Sequence, residues 1–298
     1  MKFYTFRKTE KSTIEEIGVG GLKNEGRIYP LKYLGYDYKD MNSLIESITE
    51  AELEALEAQL MREETEGIAL SNVVLSAPIP VPKQDIICLG INYHAHAKEA
   101  KRFNEDAFTR ENSYPIYFSK RVHHASADQD VIPAHENMVD SLDYEAELAV
   151  IIGKDAKNVS EEDAFSYVFG YTIINDVSAR NLQTRHKQWY FGKSLDGFTP
   201  MGPCIVTKDT FAKPPVTAVR SYVNGELRQN STTDLMVYGI ARVISELSQG
   251  MTLKAGTIIS MGTPAGVGMG MEPPQFLKHG DVVCMEIDGI GKLTNQVE

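Results

Sequence analysis

The sequence predicts an α+β chain that is mostly β: a mixed sheet roll with peripheral helices, preceded by a small N-terminal domain. Three observations carry that prediction. Short apolar runs bounded by turn residues recur at 116–119, 144–152, 171–175, 203–207, 219–223, 257–260 and 282–288. Only two stretches in the same region carry helix signals, too few for a repeating β–α unit. Before residue 72 the pattern changes to a strand, a turn-rich region and an acidic helix.

Taken in order, Lys2 to Phe6 reads as a short strand, and residues 16–34 are Gly-rich and turn-rich. Residues 51–64 place Leu53, Leu56 and Leu60 on one helical face. This first unit, residues 1–72, is expected to be a small α/β domain that caps the rest or supports a dimer. Pro78, Pro80 and Pro82 then alternate through an extended linker that no helix tolerates. A second unit, residues 73–298, begins there with a buried strand from Ile86 to Leu89. Ser160-Glu-Glu-Asp163 is a cap-like start for one helix, with Gly170 past its end. The other helix is expected from about Thr232 to Gly250, with Leu235, Tyr238, Val243 and Leu247 broadly on one side.

Composition bounds the function. The 298 residues are 42% hydrophobic and carry a formal charge of −11. A surface this negative, without a basic block, argues against nucleic acid and anionic membranes. Cys88, Cys204 and Cys284 lie far apart without a CxxC pair, which fits reduced thiols in a cytoplasmic protein. The N-terminus lacks a signal-like apolar segment, and no run approaches the roughly 20 apolar residues of a membrane span. The expected partner is a small molecule.

The chemistry concentrates in four places. Glu145 and Glu147 lead into Leu148-Ala-Val-Ile-Ile152, and strand periodicity aims both carboxylates the same way. Like charges on a half-buried strand are costly without a cation between them. Asp176, after the run Tyr171–Ile174, adds a third oxygen donor, and three hard oxygen ligands suit Mg2+ or Mn2+ better than zinc. An N-cap is the alternative role for Asp176. Arg180, Gln183, Arg185 and Lys193 crowd the next stretch, where Lys193 can pair with a ligand carboxylate or bind a substrate oxygen. In Gly262-Thr-Pro-Ala-Gly-Val-Gly268, backbone amides and the Thr263 hydroxyl can line a carboxylate-binding wall; a tight turn is the alternative. If residues 94–100 are helical, His96 and Glu99 face each other at i,i+3 as a general-base dyad. An incidental surface pair is the alternative. His94, His123 and His124 are given no role.

These motifs together resemble the fumarylacetoacetate hydrolase family. The resemblance runs from about residue 84 to 295. It rests on Gly-Ile-Asn-Tyr-x-x-His-x-x-Glu at 90–99, Asp-Tyr-Glu-x-Glu-Leu-Ala-Val-Ile-Ile-Gly at 143–153 and Asn-Asp-Val-Ser-Ala-Arg-Asn-Leu-Gln at 175–183. Gly-Lys-Ser-x-Asp at 192–196, Asn-Gly-Glu-Leu-Arg-Gln at 224–229, Gly-Thr-Pro-Ala-Gly-Val-Gly at 262–268 and Glu-Ile-Asp-Gly-Ile-Gly at 286–291 complete it.

The resemblance implies the family's mixed β-sandwich roll, a homodimer, and Mg2+ or Mn2+ held by Glu145, Glu147 and Asp176. It implies 2-oxo acid substrates, with His96 and Glu99 on a lid. Arg180, Gln183 and Lys193 match pocket residues, Thr263 with Gly262 a position near the substrate carboxylate, and Lys120 a lysine before the lid's return. The chain departs from the family at Arg121, where a proline is common, and in the long polar stretch Arg185–Tyr190. That stretch looks like the branch containing acylpyruvate hydrolases and oxaloacetate decarboxylases. The implied activity is C–C bond hydrolysis of acylpyruvates or related 2,4-diketo acids through a metal-bound pyruvate enolate. Catalysis is assigned to His96, Glu99, Lys193 and Gln183. Oxaloacetate decarboxylation and keto–enol isomerisation of 2-hydroxy-dienoates share the same first step.

Overall fold

A computed structural model describes residues 1–20, 26–62, 66–108 and 114–298. Its centre is the strand Ala146–Ile152, buried at every residue. The apolar run of this strand divides between two cores as a period of two requires. Leu148, Val150 and Ile152 enter one core, and Ala149 and Ile151 enter the other. Val168–Asn175 pairs with it antiparallel and is also wholly buried.

Around this pair, among the described residues, an 11-stranded sheet continues on both sides. On one side lie Met201–Thr207, Lys2–Arg7, Glu16–Gly20 and Arg27–Pro30. On the other lie Ile258–Ser260, Ile86–Gly90 and Ile116–Lys120. A five-stranded sheet built on Ala218–Val223, Val282–Ile287 and Gly291–Val297 shares the first core with the helix Ile240–Gly250. The helices Met41–Ser47 and Glu50–Arg62 contribute Leu44, Leu56 and Leu60 to the second. The layered roll with outer helices therefore matches expectation.

The large sheet runs from the N-terminal segment into the rest of the chain: Lys2 pairs with Val206, and Phe3 with Ile205. Phe3, Ile17 and Leu56 share a core with Cys88 and Ile151. Several local readings are corrected. Residues 16–34 hold two strands rather than turns alone. The helix expected after Ser160 is only a 3-10 turn, Ala164–Tyr167. Ser160 and Asp163 close a local turn on each other, and the β-branched run that follows joins the sheet. Gly170 is thus a strand residue. The second helix starts at Ile240, because Thr232 ends the strand Glu226–Thr232 and a 3-10 turn follows.

Gly170 is required for close approach: a Cβ there would collide with the Val206 carbonyl oxygen. Gly170→Ala is expected to destabilise the fold by about 1–3 kcal/mol through overpacking. A urea-unfolding midpoint equal to that of the parent protein would refute this.

Candidate metal centre and acid–base site

The central strand pair builds the carboxylate cluster. Ala146 sits opposite Asn175, so Asp176, one residue past its strand, comes beside Glu145. The Asp176 amide donates to the Glu145 carbonyl at 2.9 Å, and the Glu145 amide donates to Asn175 Oδ1 at 3.0 Å. Carboxylate oxygens of Glu145, Glu147 and Asp176 lie within 4.8 Å of one another, all buried.

Three buried cations brace this cluster. Lys193 Nζ donates to Glu145 Oε2 at 2.8 Å and to Asp176 Oδ2 at 2.7 Å. Lys120 Nζ donates to Asp176 Oδ1 at 2.6 Å and to the Val177 carbonyl at 3.1 Å. Arg180 Nη1 lies 2.7 Å from Glu145 Oε1 and donates to Gln183 Oε1 at 3.0 Å. Glu147 has no such cation. Its Oε2 accepts from the Ser260 hydroxyl at 2.5 Å and from the Gly262 amide at 3.0 Å.

The electrostatics follow from these partners. Burial opposes ionisation of Glu145, but Lys193 and Arg180 outweigh it and hold its carboxyl well below the usual range. Burial, reinforced by the charges of Asp176 and Glu145, pushes Glu147 well above that range. Burial works against the charge on Lys193, yet Asp176 and Glu145 raise its pKa. Burial lowers that of Lys120, which Asp176 offsets only in part.

The donor set fits a divalent cation. Three carboxylates converge, and the one that no cation contacts among the described residues is the one whose pKa burial raises. As a metal ligand Glu147 would have to be deprotonated. Because its folded pKa is raised, the metal-free protein loses stability as pH rises through that value. Mn2+ affinity should increase over the same window. Titration calorimetry in buffers of different ionisation enthalpy should show proton release, and a buffer-independent heat would contradict this.

His96 and Glu99, the candidate acid–base pair, stand on the helix His94–Phe103. Asn92 anchors the entry to this helix, its Nδ2 donating to the carbonyls of Tyr238 at 3.0 Å and Met261 at 2.7 Å. His96 is buried, with Nδ1 3.5 Å from Glu99 Oε2. Its charged form lies near enough to Glu145 to favour ionisation of that carboxyl. Glu99 also accepts from the Gly266 amide at 3.0 Å. Arg102 Nη2 donates to the Gly270 carbonyl at 2.6 Å and pairs with Glu272 at 2.9 Å. The helix is thus docked on the loop that follows Gly262.

That loop, expected to line a substrate carboxylate, is placed beside the acidic cluster. Its amides do bind carboxylates, but the protein's own: Gly262 serves Glu147, Gly266 serves Glu99, and Gly268 and Met269 serve Asp143. Gly262 has φ of +87°, and a Cβ there would lie 2.7 Å from Asn92 Cβ. The Thr263 hydroxyl donates to the Ala146 carbonyl at 3.0 Å and accepts from Gln229 Nε2 at 2.7 Å. Lys120 and Arg180, expected at the substrate pocket, lie against the acidic cluster, paired with Asp176 and with Glu145 and Asp143.

The structure brings all the candidate residues to one region. Sequence reasoning missed Ser260, Gln229 and above all Asp143, although Asp143 opens the Asp-Tyr-Glu-x-Glu run. His94, His123 and His124 are exposed. A surface cleft of about 440 Å³ lined by Arg7, His124 and Asp130 shares no residue with the cluster. No helix among the described residues is long and apolar enough to cross a membrane.

Comparison with known proteins agrees with this geometry. The sequence profile described as "Fumarylacetoacetate (FAA) hydrolase C-terminal" matches residues 85–298. Oxaloacetate tautomerase YisK of Bacillus subtilis is 48% identical over 229 residues, covering 77% of this chain and 74% of that protein. The structure of a fumarylacetoacetate hydrolase from Exiguobacterium antarcticum is 38% identical, with a TM-score of 0.81, over 100% of this chain and 99% of its own. Maleylpyruvate hydrolase from Sphingobium sp. SYK-6, solved with manganese(II) and pyruvate, is 31% identical, with a TM-score of 0.78, over 100% of this chain and 98% of its own. With a profile over most of its length and relatives that agree in sequence and structure, the chain belongs to the fumarylacetoacetate hydrolase family of enzymes.

Proposed function

We propose that this enzyme uses Mg2+ or Mn2+ to act on small 2-oxo acids by moving a proton on the carbon beside the ketone. Keto–enol tautomerisation of oxaloacetate-like acids is taken as its main activity. The observation that carries this reading is a division of labour among the buried side chains. Lys120, Arg180 and Lys193 are all committed to ligand carboxylates at 2.6–2.8 Å. The His96–Glu99 pair is not so committed, and it faces the same cluster. Beyond the polarised 2-oxo carbonyl, proton transfer needs only that pair, whereas attack by water also needs donors for a second oxyanion at the distal carbonyl.

A divalent cation on Glu145, Glu147 and Asp176 would supply a Lewis acid that polarises the 2-oxo carbonyl. With Nδ1 turned to Glu99, His96 exchanges protons with substrate through Nε2. It takes the C3 proton as the C–H electron pair becomes the C2=C3 bond, then returns that proton to the C2 oxygen. Glu99 stabilises the imidazolium in between. Lys193 and Arg180 hold the ligand carboxylates in place, and Arg180 fixes the Gln183 amide beside them. The docked helix keeps bulk water away from the enol.

The 48% identity to an oxaloacetate tautomerase supports this order of preference. C–C hydrolysis of acylpyruvates, placed first on sequence, is the second reading, supported by the maleylpyruvate hydrolase likeness. There His96 would take its proton from water.

The test is a panel assay with Mn2+ or Mg2+. It follows enol absorbance and CO2 release from oxaloacetate, and pyruvate release from acetylpyruvate. Faster loss of oxaloacetate enol, without CO2 or acylpyruvate cleavage, is expected. Cleavage of acetylpyruvate without accelerated tautomerisation would establish the second reading instead. CO2 as the main product would replace both with decarboxylation.

A further inference from the structure

We propose that Asp143 is a positioning residue that couples docking of the His94–Phe103 helix to the placement of Glu145. Asp143 is fully buried and belongs to neither the ligand set nor the acid–base pair. Both its oxygens accept from the turn at Gly268 and Met269, and one of them also meets Arg180. Oδ1 accepts from the Gly268 amide at 2.7 Å and from the Tyr144 amide at 2.9 Å. Oδ2 accepts from the Met269 amide at 2.9 Å and from Arg180 Nε at 2.9 Å.

Gly268–Gly270 is the 3-10 turn on which the helix docks. Met269 and Val267 pack with Ala100 and Ile91, and Arg102 grips the Gly270 carbonyl from the helix side. Arg180 is the brace of Glu145 and Gln183. One carboxylate therefore ties the platform under the acid–base helix to the guanidinium that fixes a candidate metal ligand. A shift of the turn must move Asp143 or break its bonds. Either event leaves Arg180, itself 1% exposed, with an unbalanced charge beside Glu145. Hydrogen-bond and packing networks of this kind can carry coupling between two places, and these bonds form a contiguous one. Its meaning for catalysis rests on the functional reading proposed for this site; its structural content does not.

The experiment is hydrogen exchange read by mass spectrometry on the full chain, in the parent protein, Asp143→Asn and Arg102→Ala. Asparagine keeps the shape and one acceptor but loses the charge that faces Arg180. Each variant should speed exchange in both residues 94–103 and residues 180–193 by about threefold or more, with residues 240–250 unchanged. Arg102→Ala should also weaken Mn2+ binding, an effect that disappears when Asp143→Asn is already present.

Changes confined to each variant's own segment, or additive losses of Mn2+ affinity in the double variant, would overturn the proposal. Uniformly faster exchange, including residues 240–250, would reduce Asp143 to a general stabiliser. Arg102 is more than half exposed on its side chain, so its variant keeps the test decisive if Asp143→Asn does not fold. Coupling is reciprocal, so loosening the helix must reach residues 180–193. Failure of the 2-oxo acid assay with intact exchange coupling would reject the function and leave this inference standing.

Discussion

Asp176→Asn should abolish Mn2+ binding and destabilise the fold by about 3–5 kcal/mol, the usual cost of stranding a buried charge. Asp176 is fully buried and carries both Lys120 and Lys193. Lys193 keeps Glu145 in the variant. Lys120 keeps the Val177 carbonyl and the asparagine's amide oxygen, two neutral acceptors that cannot balance an ammonium out of water. Burial already lowers the pKa of Lys120, and without Asp176 it must fall further. A lysine with a depressed folded pKa is more protonated in the unfolded chain. The variant's stability should therefore rise with pH between the folded and unfolded values. Adding Lys120→Met should recover much of the loss by removing the stranded charge. Urea unfolding at neutral and mildly alkaline pH measures all of this. A single variant within about 1 kcal/mol of the parent, the worth of an exposed pair, would show that Lys120 has other support.

The second large effect is on chemistry alone. His96→Ala should lower turnover by about 10²–10⁴-fold, the usual contribution of a positioned acid–base group. Mn2+ affinity should hold within about twofold, because His96 touches none of the three ligand oxygens in the hydrogen-bond network. Glu99→Gln should be milder in rate, since the imidazole remains. It should also loosen the helix, because Glu99 anchors it to the Gly266 amide. Steady-state kinetics beside a Mn2+ titration separates the two roles. Unchanged turnover in His96→Ala would transfer the proton step to another group.

What could be read in the sequence was whatever lay within one element. Glu145 and Glu147 are two residues apart on a strand, so their common direction was visible, and His96 with Glu99 needed only one helical turn. Which cation meets which carboxylate was not visible. Lys120 and Asp176 are 56 residues apart, and Glu147 and the Gly262 amide 115. Both contacts are set by strand order, which apolar alternation does not encode. The run from Asp143 to Gly153 holds no cation of its own, yet the fold delivers three from elsewhere. The amides of the Gly-rich loop meet carboxylates of side chains brought to it by the sheet, partners that the loop's own sequence does not name. Ser160 misled because a capping turn and a helix start share the same residues. Only the β-branched run behind it decided between them.

The pairing of Lys2–Arg7 with Met201–Thr207 bears on how the chain is made. On a ribosome, the N-terminal strand emerges long before its sheet neighbour has been translated. Until then Lys2 and Phe3 lack their partner on one edge, while Thr5–Arg7 on that edge pair with Val74–Ser76, and Phe3 is fully buried in the finished protein. Long-range pairing of this kind slows folding and leaves sticky intermediates open to aggregation. Biosynthesis of this enzyme should accordingly depend on holdase chaperones during elongation.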